Sequence, residues 1–445
     1  MNQEVYNIYV DLLKEYIEFR SISTLADPLP IRKTLAWLTS TFRQRGFKIN
    51  VIEGYDNPII LAELEINKEY PTVLIYGHYD VQPASMAEWG EDPFSLTEKN
   101  NRLYGRGVVD NKGQMLVHLA TVIQLIQKDA LKYNIKFLVE GNEETGSPSI
   151  ERFIFEYEKE LKSDFVLISD GALAGNKPTI EMGLRGVVNT TLVVKTSDRE
   201  MHSGMYGGPV PNAIHEAAKL IASIHDNENK VTIPGFYTKV KTDVKIQDYL
   251  LKRNISIDEY EALTGSSAML LEEGNNYFSQ IGARPTIQIT GFSGGYTEKG
   301  YRNSIPSEAT IKFNIRLVPD QDPEEVLELF KGYVTDFLPS YVDCRFLRPD
   351  DNEGFMPGIT LSGNDNYTNT AKKILQEVFK EEVVYDYNGG SLPIVVSFVK
   401  VLTTPVVMIP LANEDCNMHG VNENFDLQIL EKAITFSYKF LSTSI

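Results

Sequence analysis

Residues 73–80 read VLIYGHYD, an apolar run of strand length that ends in His78 and Asp80. Three more apolar runs are followed by side chains of the same kind: IKFLVEGN by Glu143 and Glu144, DFVLIS by Asp170, and PVVMIP, a few residues on, by His419. In open α/β sheets, binding sites lie in the crevice at the carboxyl ends of the strands. The pattern therefore predicts that these polar groups gather at one edge of a sheet.

The spacing of apolar residues places helices between these strands. It predicts helices over residues 5–20, 30–45, 112–128 and 148–160, and the third of them is apolar enough to be buried. Strands that alternate with helices form a mainly parallel sheet that is covered on both faces. We therefore predict an α/β fold for this part of the chain.

The pattern changes after Gly183. The segments GVVNTTLVVKT and ATIKFNIRLV are long runs of alternating polarity, and each is followed by a helical pattern. This is typical of a small α+β domain whose sheet has one exposed face. Residues 228–300, between these runs, are rich in Gly and Asn, and we predict irregular structure there.

The length of the chain indicates more than one domain. Cores stop growing at about 250–300 residues, and this chain has 445. We predict one domain formed by residues 1–184 and 353–445, with residues 185–352 inserted as a smaller lid domain.

Composition excludes several classes of partner. The net charge of −18 argues against nucleic acid and anionic membrane surfaces, because both attract basic patches. No stretch approaches the roughly 18 uncharged apolar residues that indicate a membrane span. The two cysteines, Cys344 and Cys416, are too few for a disulfide framework and favour a reducing compartment. Since the first residues also lack a signal-peptide pattern, we expect a cytoplasmic protein.

The polar groups form a ligand set for two divalent ions. Asp110, Glu144 and Asp170 supply three negative charges, and His78 and His419 supply neutral imidazoles. Together with a bridging hydroxide, these charges would balance two divalent ions, as a partly buried site requires. Asp110, at the end of LYGRGVVD, is our choice for a carboxylate shared by two ions about 3.5–4 Å apart.

Two further carboxylates belong to the same hypothesis. Glu143 is adjacent to Glu144, so one of them can bind an ion while the other faces the bridging water. Crowding raises the pKa of such a carboxyl toward the range of a general base, which is the role we assign to Glu143. Asp80 leaves its strand in the same direction as His78 and can accept the second ring N–H of that histidine.

The remaining histidines and the nearby cysteine have structural interpretations. His118 lies within a helix and is expected in the core or at its edge, and His215 and His225 are expected on the surface of a lid helix. Cys416 precedes His419 by three residues, but an inert buried thiol is the interpretation we favour.

Six blocks of sequence, in their order and spacing, resemble the M20 family of di-metal peptidases, and the likeness is nearest to its carnosinase-like dipeptidases. They are GHYDVQPA, LYGRGVVDNKGQ, EGNEETGS, VLISDG, MHSG and MHGVNE. The resemblance implies a catalytic domain interrupted by a lid that carries a dimer interface. It assigns His78 and Asp170 to one ion and Glu144 and His419 to the other, with Asp110 as the bridge.

The same resemblance implies roles for Glu143 as the general base and Asp80 as the orienting carboxylate, and a cis peptide bond after Asp110. It also implies substrate-binding residues in the lid. His202, in MHSG, would reach the partner subunit's site and stabilise the oxyanion. Asn303 and Arg316 would bind the substrate's carboxylate across the dimer, Arg316 through its bidentate fork.

The resemblance further implies a loop formed by Gly389, Gly390 and Ser391, which would grip the same carboxylate. Related dipeptidases often carry a charged pair just before this loop, where this sequence has Tyr387 and Asn388. The shape of the substrate therefore stays open.

These features predict an enzyme that hydrolyses an amide bond in dipeptides or small peptides with a free carboxylate. We expect two divalent ions as cofactors, zinc in the first place, with manganese or cobalt as alternatives. An N-acyl amino acid deacylase or desuccinylase, or a carboxypeptidase, would use the same ligands. A more distant alternative is a non-catalytic binding protein on the same fold. The expected partners are a small peptide or acyl-amino-acid substrate and a second copy of the chain.

Overall fold

The computed structural model describes residues 2–241, 244–349, 354–390 and 392–445. The chain divides into two compact units, the first comprising Met1–Met182, Leu361–Asp386 and Leu392–Ile445, and the second Gly183–Thr360 and Tyr387–Ser391. The sequence places the boundaries after residues 184 and 352, which are two and eight residues from those of the structure, after Met182 and Thr360. The chain returns briefly to the second unit at Tyr387–Ser391, where the Arg185 N–H donates to the Gly390 carbonyl at 3.1 Å.

The first unit contains a mixed sheet. Its strands, in spatial order, are Lys48–Ile52, Ile59–Leu64, Asn134–Glu140, Thr72–His78, Phe165–Ile168, Val406–Met408 and Thr179–Leu184. The strands from Asn134–Glu140 to Val406–Met408 are parallel, and those at either side are antiparallel. Phe165–Ile168 is buried at every residue, and since alternate side chains point to opposite faces, helices cover both faces of the sheet. The predicted α/β fold class is confirmed.

The helices of the first unit pack in two groups. One group consists of Gln3–Ile17, Lys112–Gln127, Asn366–Phe379 and Leu427–Leu441, and the other of Ile150–Glu156, Glu158–Leu161, Pro393–Ser397 and the π-helical turn Phe398–Leu402. Leu29–Arg43 packs on Lys48–Ile52, the edge strand, and on its neighbour Ile59–Leu64. Lys112–Gln127 is buried from Lys112 to Leu125, which confirms the buried helix predicted there.

Smaller elements complete this unit. Thr97–Lys99, Arg102–Tyr104 and Asn424–Asp426 form a separate small sheet, which brings the segment after residue 415 beside the segment before residue 105. Further short elements are the 3-10 turns Glu143–Thr145 and Ala174–Asn176 and the strand Val384–Asn388, whose last two residues belong to the second unit. Of the helices in the described part of the chain, none is long and apolar enough to cross a membrane.

The second unit contains an antiparallel sheet with helices against one face. The strands, in spatial order, are Thr286–Gly294, Glu308–Leu317, Gly186–Lys195 and Asp343–Leu347, and the packed helices are Ala213–Ser223 and Pro323–Phe337. Along Glu308–Leu317 every second residue is buried, as expected for a sheet with one covered face. Short strands lie at Met201–His202, Ser304–Ile305, Phe355–Met356 and Ile359–Thr360, and a single turn of helix at Ser203–Tyr206.

The prediction of irregular structure over residues 228–300 is wrong. This stretch contains the helices Val244–Lys252, Ile257–Thr264 and Tyr277–Ala283 and the edge strand Thr286–Gly294. Ile257–Thr264 has no buried residue and therefore no apolar stripe for a periodicity search to detect. Its start is set instead by a capping box, in which Ser256 and Glu259 satisfy each other's backbone N–H groups.

The core of the second unit allows a matched test of this packing. Phe313 is 1% exposed and packs edge-on against Phe330, with ring centroids 4.7 Å apart, whereas the preceding residue, Lys312, is exposed. We expect Phe313→Ala to lower the free energy of unfolding by about 3–5 kcal/mol, because it removes buried contacts and leaves a cavity. Lys312→Ala should change it by less than about 0.5 kcal/mol. Urea denaturation measures both, and equal losses would contradict the assigned strand faces.

Candidate metal centre

His78 is the last residue of the central strand Thr72–His78, and it is completely buried. Its Nε2 lies 3.1 Å from Asp110 Oδ1 and 3.6 Å from Asp170 Oδ2. Its Nδ1 lies 3.1 Å from the Asp80 carbonyl oxygen and 3.4 Å from Asp80 Oδ1. One ring nitrogen is therefore held by Asp80, and the other points into a group of carboxylates.

Asp110 lies between two imidazoles. It precedes the helix Lys112–Gln127, and the peptide bond between Asp110 and Asn111 is cis, as the resemblance implies. Asp110 Oδ2 is 2.8 Å from His419 Nε2, while Oδ1 faces His78. Each carboxylate oxygen thus faces a different histidine, which suits a ligand that is shared between two ions.

The potential ligand atoms among the described residues fall into two groups. One group is His78, Asp110 and Asp170, the other is Asp110, Glu144 and His419, and in each group all ligand atoms lie within 4.8 Å of one another. Glu144 Oε2 is 3.2 Å from His419 Nε2. The fold therefore brings together all five residues that the sequence suggested as metal ligands.

The parallel strands explain this convergence. His78 and Glu140 are directly paired at the ends of neighbouring parallel strands, and Glu143–Thr145 follows Glu140 as a 3-10 turn. Asp170 comes two residues after Phe165–Ile168, the strand on the other side of Thr72–His78. Since parallel strands end at the same edge of a sheet, the acidic residues that follow them must lie near one another.

Asp80 has contacts beyond His78. Its Oδ1 accepts the backbone N–H of Glu143 at 3.2 Å, and its Oδ2 accepts that of Glu144 at 3.1 Å. The Asp80 carboxylate is buried, so these donors offset the cost of burying its charge. Asp80 therefore fixes the turn that carries both glutamates as well as facing the imidazole.

The carboxylates of the site favour positive charge beside them, as the pKa shifts of Asp110 and His419 show. Burial opposes ionisation of Asp110, but hydrogen bonds with His419 and His78 outweigh it and hold the pKa of that carboxyl well below its usual range. The hydrogen bond with Asp110, followed by that with Glu144, raises the pKa of His419 to about 10. Burial raises the pKa of Glu143, and the charges of Asp170, Asp110 and Glu144 add to the effect.

A cluster of carboxylates around imidazoles fits divalent ions. Buried anions need compensating charge, and imidazole nitrogen together with carboxylate oxygen is a donor set that zinc and similar ions bind. The side chains of His78, Asp110 and Glu144 are at most 5% exposed, whereas that of His419 is 56% exposed. The cluster is therefore closed on the sheet side and open on the side of His419.

Three residues of this region were missed by the analysis of the sequence. Gln82 donates its backbone N–H to Glu144 Oε1 at 3.1 Å and its side-chain amide to Oε2 at 2.8 Å. Arg106 and Glu423 form a buried ion pair at 2.8 Å between the segment before Asp110 and the segment after His419. All three lie inside the recognised blocks, but a sequence shows no partner for a glutamine or for an isolated charge.

The other histidines lie apart from the two ligand groups. His118 is buried, with its ring nitrogens 2.9 Å from the hydroxyls of Ser437 and Ser169, and burial lowers its pKa to about 3. His118 is thus a core residue, as expected. His215 is exposed as expected, but His225 follows the helix Ala213–Ser223 and is half-buried. Burial raises the pKa of the Cys416 thiol to about 11, which agrees with an inert cysteine.

In the second unit, the structure brings His202 and Asn303 close together. His202 ends the strand Met201–His202, which pairs with Ser304–Ile305, and the Ser203 N–H donates to the Asn303 carbonyl at 3.0 Å. His202 and Asn303 are both exposed. His202 Nδ1 accepts the Gly204 N–H at 3.0 Å, so the neutral ring carries its hydrogen on Nε2.

Arg316 lies on the strand Glu308–Leu317, and its Nε donates to Asn314 Oδ1 at 3.2 Å. Arg185, which the sequence analysis did not select, donates its backbone N–H to Gly390 and its Nε to the Gly389 carbonyl at 3.3 Å. Burial, and then the charge of Arg316, lowers the pKa of Arg185 to about 10. The guanidinium groups of Arg185 and Arg316 therefore lie near each other in this unit. Ser391 lies outside the described residues.

Comparisons with known proteins agree with this geometry. A sequence profile described as Peptidase family M20/M25/M40 matches residues 74–443. The beta-Ala-His dipeptidase of Mus musculus is 31% identical over 444 residues, which cover 94% of this chain and 89% of the mouse protein. The Cys-Gly metallodipeptidase dug1 of Schizosaccharomyces pombe is 28% identical over 422 residues, which cover 92% of this chain and 88% of the relative.

Solved structures agree as well. The M20 family metallo-carboxypeptidase Sso-CP2 from Sulfolobus solfataricus is 30% identical and superposes with a TM-score of 0.85 over 99% of each chain. The likeness to carnosinase-like dipeptidases that the six blocks suggested is confirmed by the mouse relative, and so is the prediction that the protein is a metallopeptidase-type enzyme. By profile, by sequence and by fold, the chain belongs to peptidase family M20/M25/M40.

Proposed function

We propose that this protein hydrolyses the peptide bond of dipeptides or small peptides that carry a free carboxylate, with two divalent ions bound at the edge of its sheet. The observation that carries the proposal is the membership of Asp110 in both groups of ligand atoms. The names of the mouse and fission-yeast relatives, both dipeptidases, support the substrate class.

His78, Asp110 and Asp170 would hold one ion, and Asp110, Glu144 and His419 the other. Two divalent ions in these positions would polarise the substrate carbonyl and lower the pKa of the water between them. Zinc suits a set of imidazole and carboxylate ligands, and manganese and cobalt are the alternatives.

Glu143 is the proposed general base. Its Oε2 lies 3.8 Å from His78 Nε2, so the carboxylate borders the ligand atoms but belongs to neither group. It would accept a proton from the attacking water and deliver it to the nitrogen of the leaving amine. Asp80 would keep this base in place, because its carboxylate holds the Glu143 N–H and faces the His78 ring.

Residues of the second unit are the proposed substrate-binding groups. His202 would donate its Nε2–H to the oxyanion of the transition state in the partner subunit, and the hydrogen bond to its Nδ1 supports that tautomer. Asn303 and Arg316 would bind the substrate's carboxylate, together with the loop of Gly390 and Ser391. The hydrogen bonds from Arg185 to Gly389 and Gly390 support a fixed position for these two glycines.

The proposal includes a homodimer formed through residues 185–352 and a cytoplasmic location. The dimer follows from the family resemblance and from the role of His202. The compartment follows from the cysteine content, since Cys344 and Cys416 are both free thiols.

A panel of substrates tests the proposed function. We expect hydrolysis of unmodified dipeptides to exceed that of acetyl- and succinyl-amino acids, and amidation of the substrate's terminal carboxylate to raise KM. Removal of the C-terminal residue from longer peptides would indicate the carboxypeptidase alternative. Preferred cleavage of the acyl-amino acids would replace the proposal by the deacylase alternative, which the names of the relatives do not favour.

The ligand assignment predicts metal content. The purified protein, dialysed against Zn²⁺, should hold two ions per chain by inductively coupled plasma mass spectrometry. Asp110→Ala should lose both, because it removes the shared ligand, and Glu144→Ala should lose one. Asp198→Asn is the matched control, because Asp198 is 98% exposed and lies in neither group. Unchanged metal content in Asp110→Ala would refute the assignment.

Removal of the ions should also abolish activity. A chelator should stop hydrolysis until Zn²⁺, Mn²⁺ or Co²⁺ is added back.

The role of Glu143 predicts a loss of turnover without a loss of metal. Glu143→Gln should lower kcat by about 10²–10⁴-fold, the usual contribution of a positioned acid–base group. Its metal content should stay at the wild-type value. Glu151→Gln removes an exposed carboxylate eight residues further on and should leave kcat unchanged. Normal turnover in Glu143→Gln would remove Glu143 as the base.

The action of His202 across a dimer predicts complementation. His202→Ala and Glu143→Gln should each be nearly inactive, because each lacks one part of every site. When the two are dissociated and mixed, hybrid dimers should regain part of the activity, since one site then has both groups intact. Native mass spectrometry establishes that hybrids form, and hybrids without activity would show that His202 does not act in the partner subunit.

A further inference from the structure

A buried ion pair joins the two loops that carry Asp110 and His419. Arg106 Nη1 donates to Glu423 Oε2 at 2.8 Å, and the two side chains are 3% and 0% exposed. The residues are 317 positions apart in the sequence. Each lies four residues from a candidate ligand, Arg106 before Asp110 and Glu423 after His419.

Glu423 holds the loop that leads to Asp110. Its Oε1 accepts the backbone N–H groups of Val109 at 2.9 Å and Asp110 at 3.1 Å. Its Oε2 accepts the N–H of Gly107 at 2.9 Å in addition to the guanidinium of Arg106. With four donors, the carboxylate is satisfied without an ion, so its buried charge fixes the backbone rather than binding a metal.

Arg106 holds the turn that carries His419. Its Nη2 donates to the carbonyl oxygens of His419 at 3.3 Å and Gly420 at 3.0 Å. His419 has a φ of +60°, in the left-handed region that residues other than glycine rarely adopt. Trp89 covers the guanidinium, with its ring 5.3 Å away. The arginine therefore stabilises an unfavourable backbone conformation that aims the imidazole at Asp110.

The two ligand groups depend on this pair unequally. His78 ends a sheet strand and is held by Asp80, and Asp170 follows the neighbouring strand. Within the described residues, neither Arg106 nor Glu423 is hydrogen-bonded to His78 or Asp170. Asp110 belongs to both groups, but the first group keeps two ligands that the pair does not hold, whereas the second keeps only Glu144. A defect in the pair should therefore weaken the group of Asp110, Glu144 and His419 first.

We infer that Arg106 and Glu423 are positioning residues that set the separation of Asp110 and His419, and with it the affinity of the second metal position. This inference rests on the proposed metal assignment. It predicts that the two ions respond differently to the same substitution, which a general loss of stability would not produce.

Glu423→Gln is the sharpest variant, because it keeps the shape of the side chain. An amide has one oxygen, so two of the four donors would face an NH₂ group instead of an acceptor. We expect the first Zn²⁺ to bind as in the wild type and the second to bind about 10- to 100-fold more weakly, as for other residues that orient metal ligands. Isothermal titration with Zn²⁺ measures both affinities, and activity should return at high free Zn²⁺.

The second unit offers a matched control. Glu272 and Arg284 form a comparable ion pair, with side chains 4% and 18% exposed. Glu272→Gln should bind both ions as the wild type does. If it weakens the second ion as much as Glu423→Gln, or if Glu423→Gln binds both ions normally or loses both alike, the inference is wrong.

A second variant tests the inference if Glu423→Gln does not fold, which circular dichroism would reveal. Arg106→Lys keeps the charge but lacks the fork that reaches Glu423 and both carbonyls at once, so it should also weaken only the second ion. Normal binding of both ions by this variant would overturn the inference. A wild-type protein that binds fewer than two ions would instead overturn the proposed function.

Discussion

The candidate site depends on one contact, in which Asp110 presents a different carboxylate oxygen to each of two histidines. His78 Nε2 lies 3.1 Å from one oxygen and His419 Nε2 lies 2.8 Å from the other. These histidines come from a sheet strand and from a distant loop. A single short side chain therefore sets the spacing of two groups of ligands, and Asp80, Arg106 and Glu423 hold the segments that carry those three residues.

Two kinds of buried carboxylate share this region. Asp80 and Glu423 accept backbone N–H groups, so their charges are compensated within the protein. Asp110, Asp170 and Glu144 face imidazoles and one another, although Glu144 also accepts the Gln82 N–H. Because backbone donors satisfy the first kind, the remaining demand for positive charge is concentrated on the second. This division lets the chain fold with these five carboxylates and Glu143 in one region, and still reserve three of the six for cations.

Much of the fold and the site follows from the sequence. The sequence alone predicted the order of strands and helices, the buried helix after Asp110 and the five candidate ligands. The ligands could be predicted because strands that are followed by His, Asp or Glu converge at one edge of a parallel sheet. The helices between residues 244 and 283 were not predicted, because they are only seven to nine residues long and Ile257–Thr264 has no buried residue. Gln82, Arg106 and Arg185 were also missed, since each acts through a partner far away in the chain.

The sequence by itself determined which side chains could meet, because strand periodicity and the motif blocks depend only on local order. Only the tertiary structure decided how they meet. Asp110 faces two histidines with different oxygens, and Arg106 and Glu423 join the loops that carry Asp110 and His419. Both arrangements depend on contacts between residues about 300 positions apart in the chain. Such contacts arise when the whole sheet closes and backbone donors that no local pattern shows come within reach of a buried carboxylate.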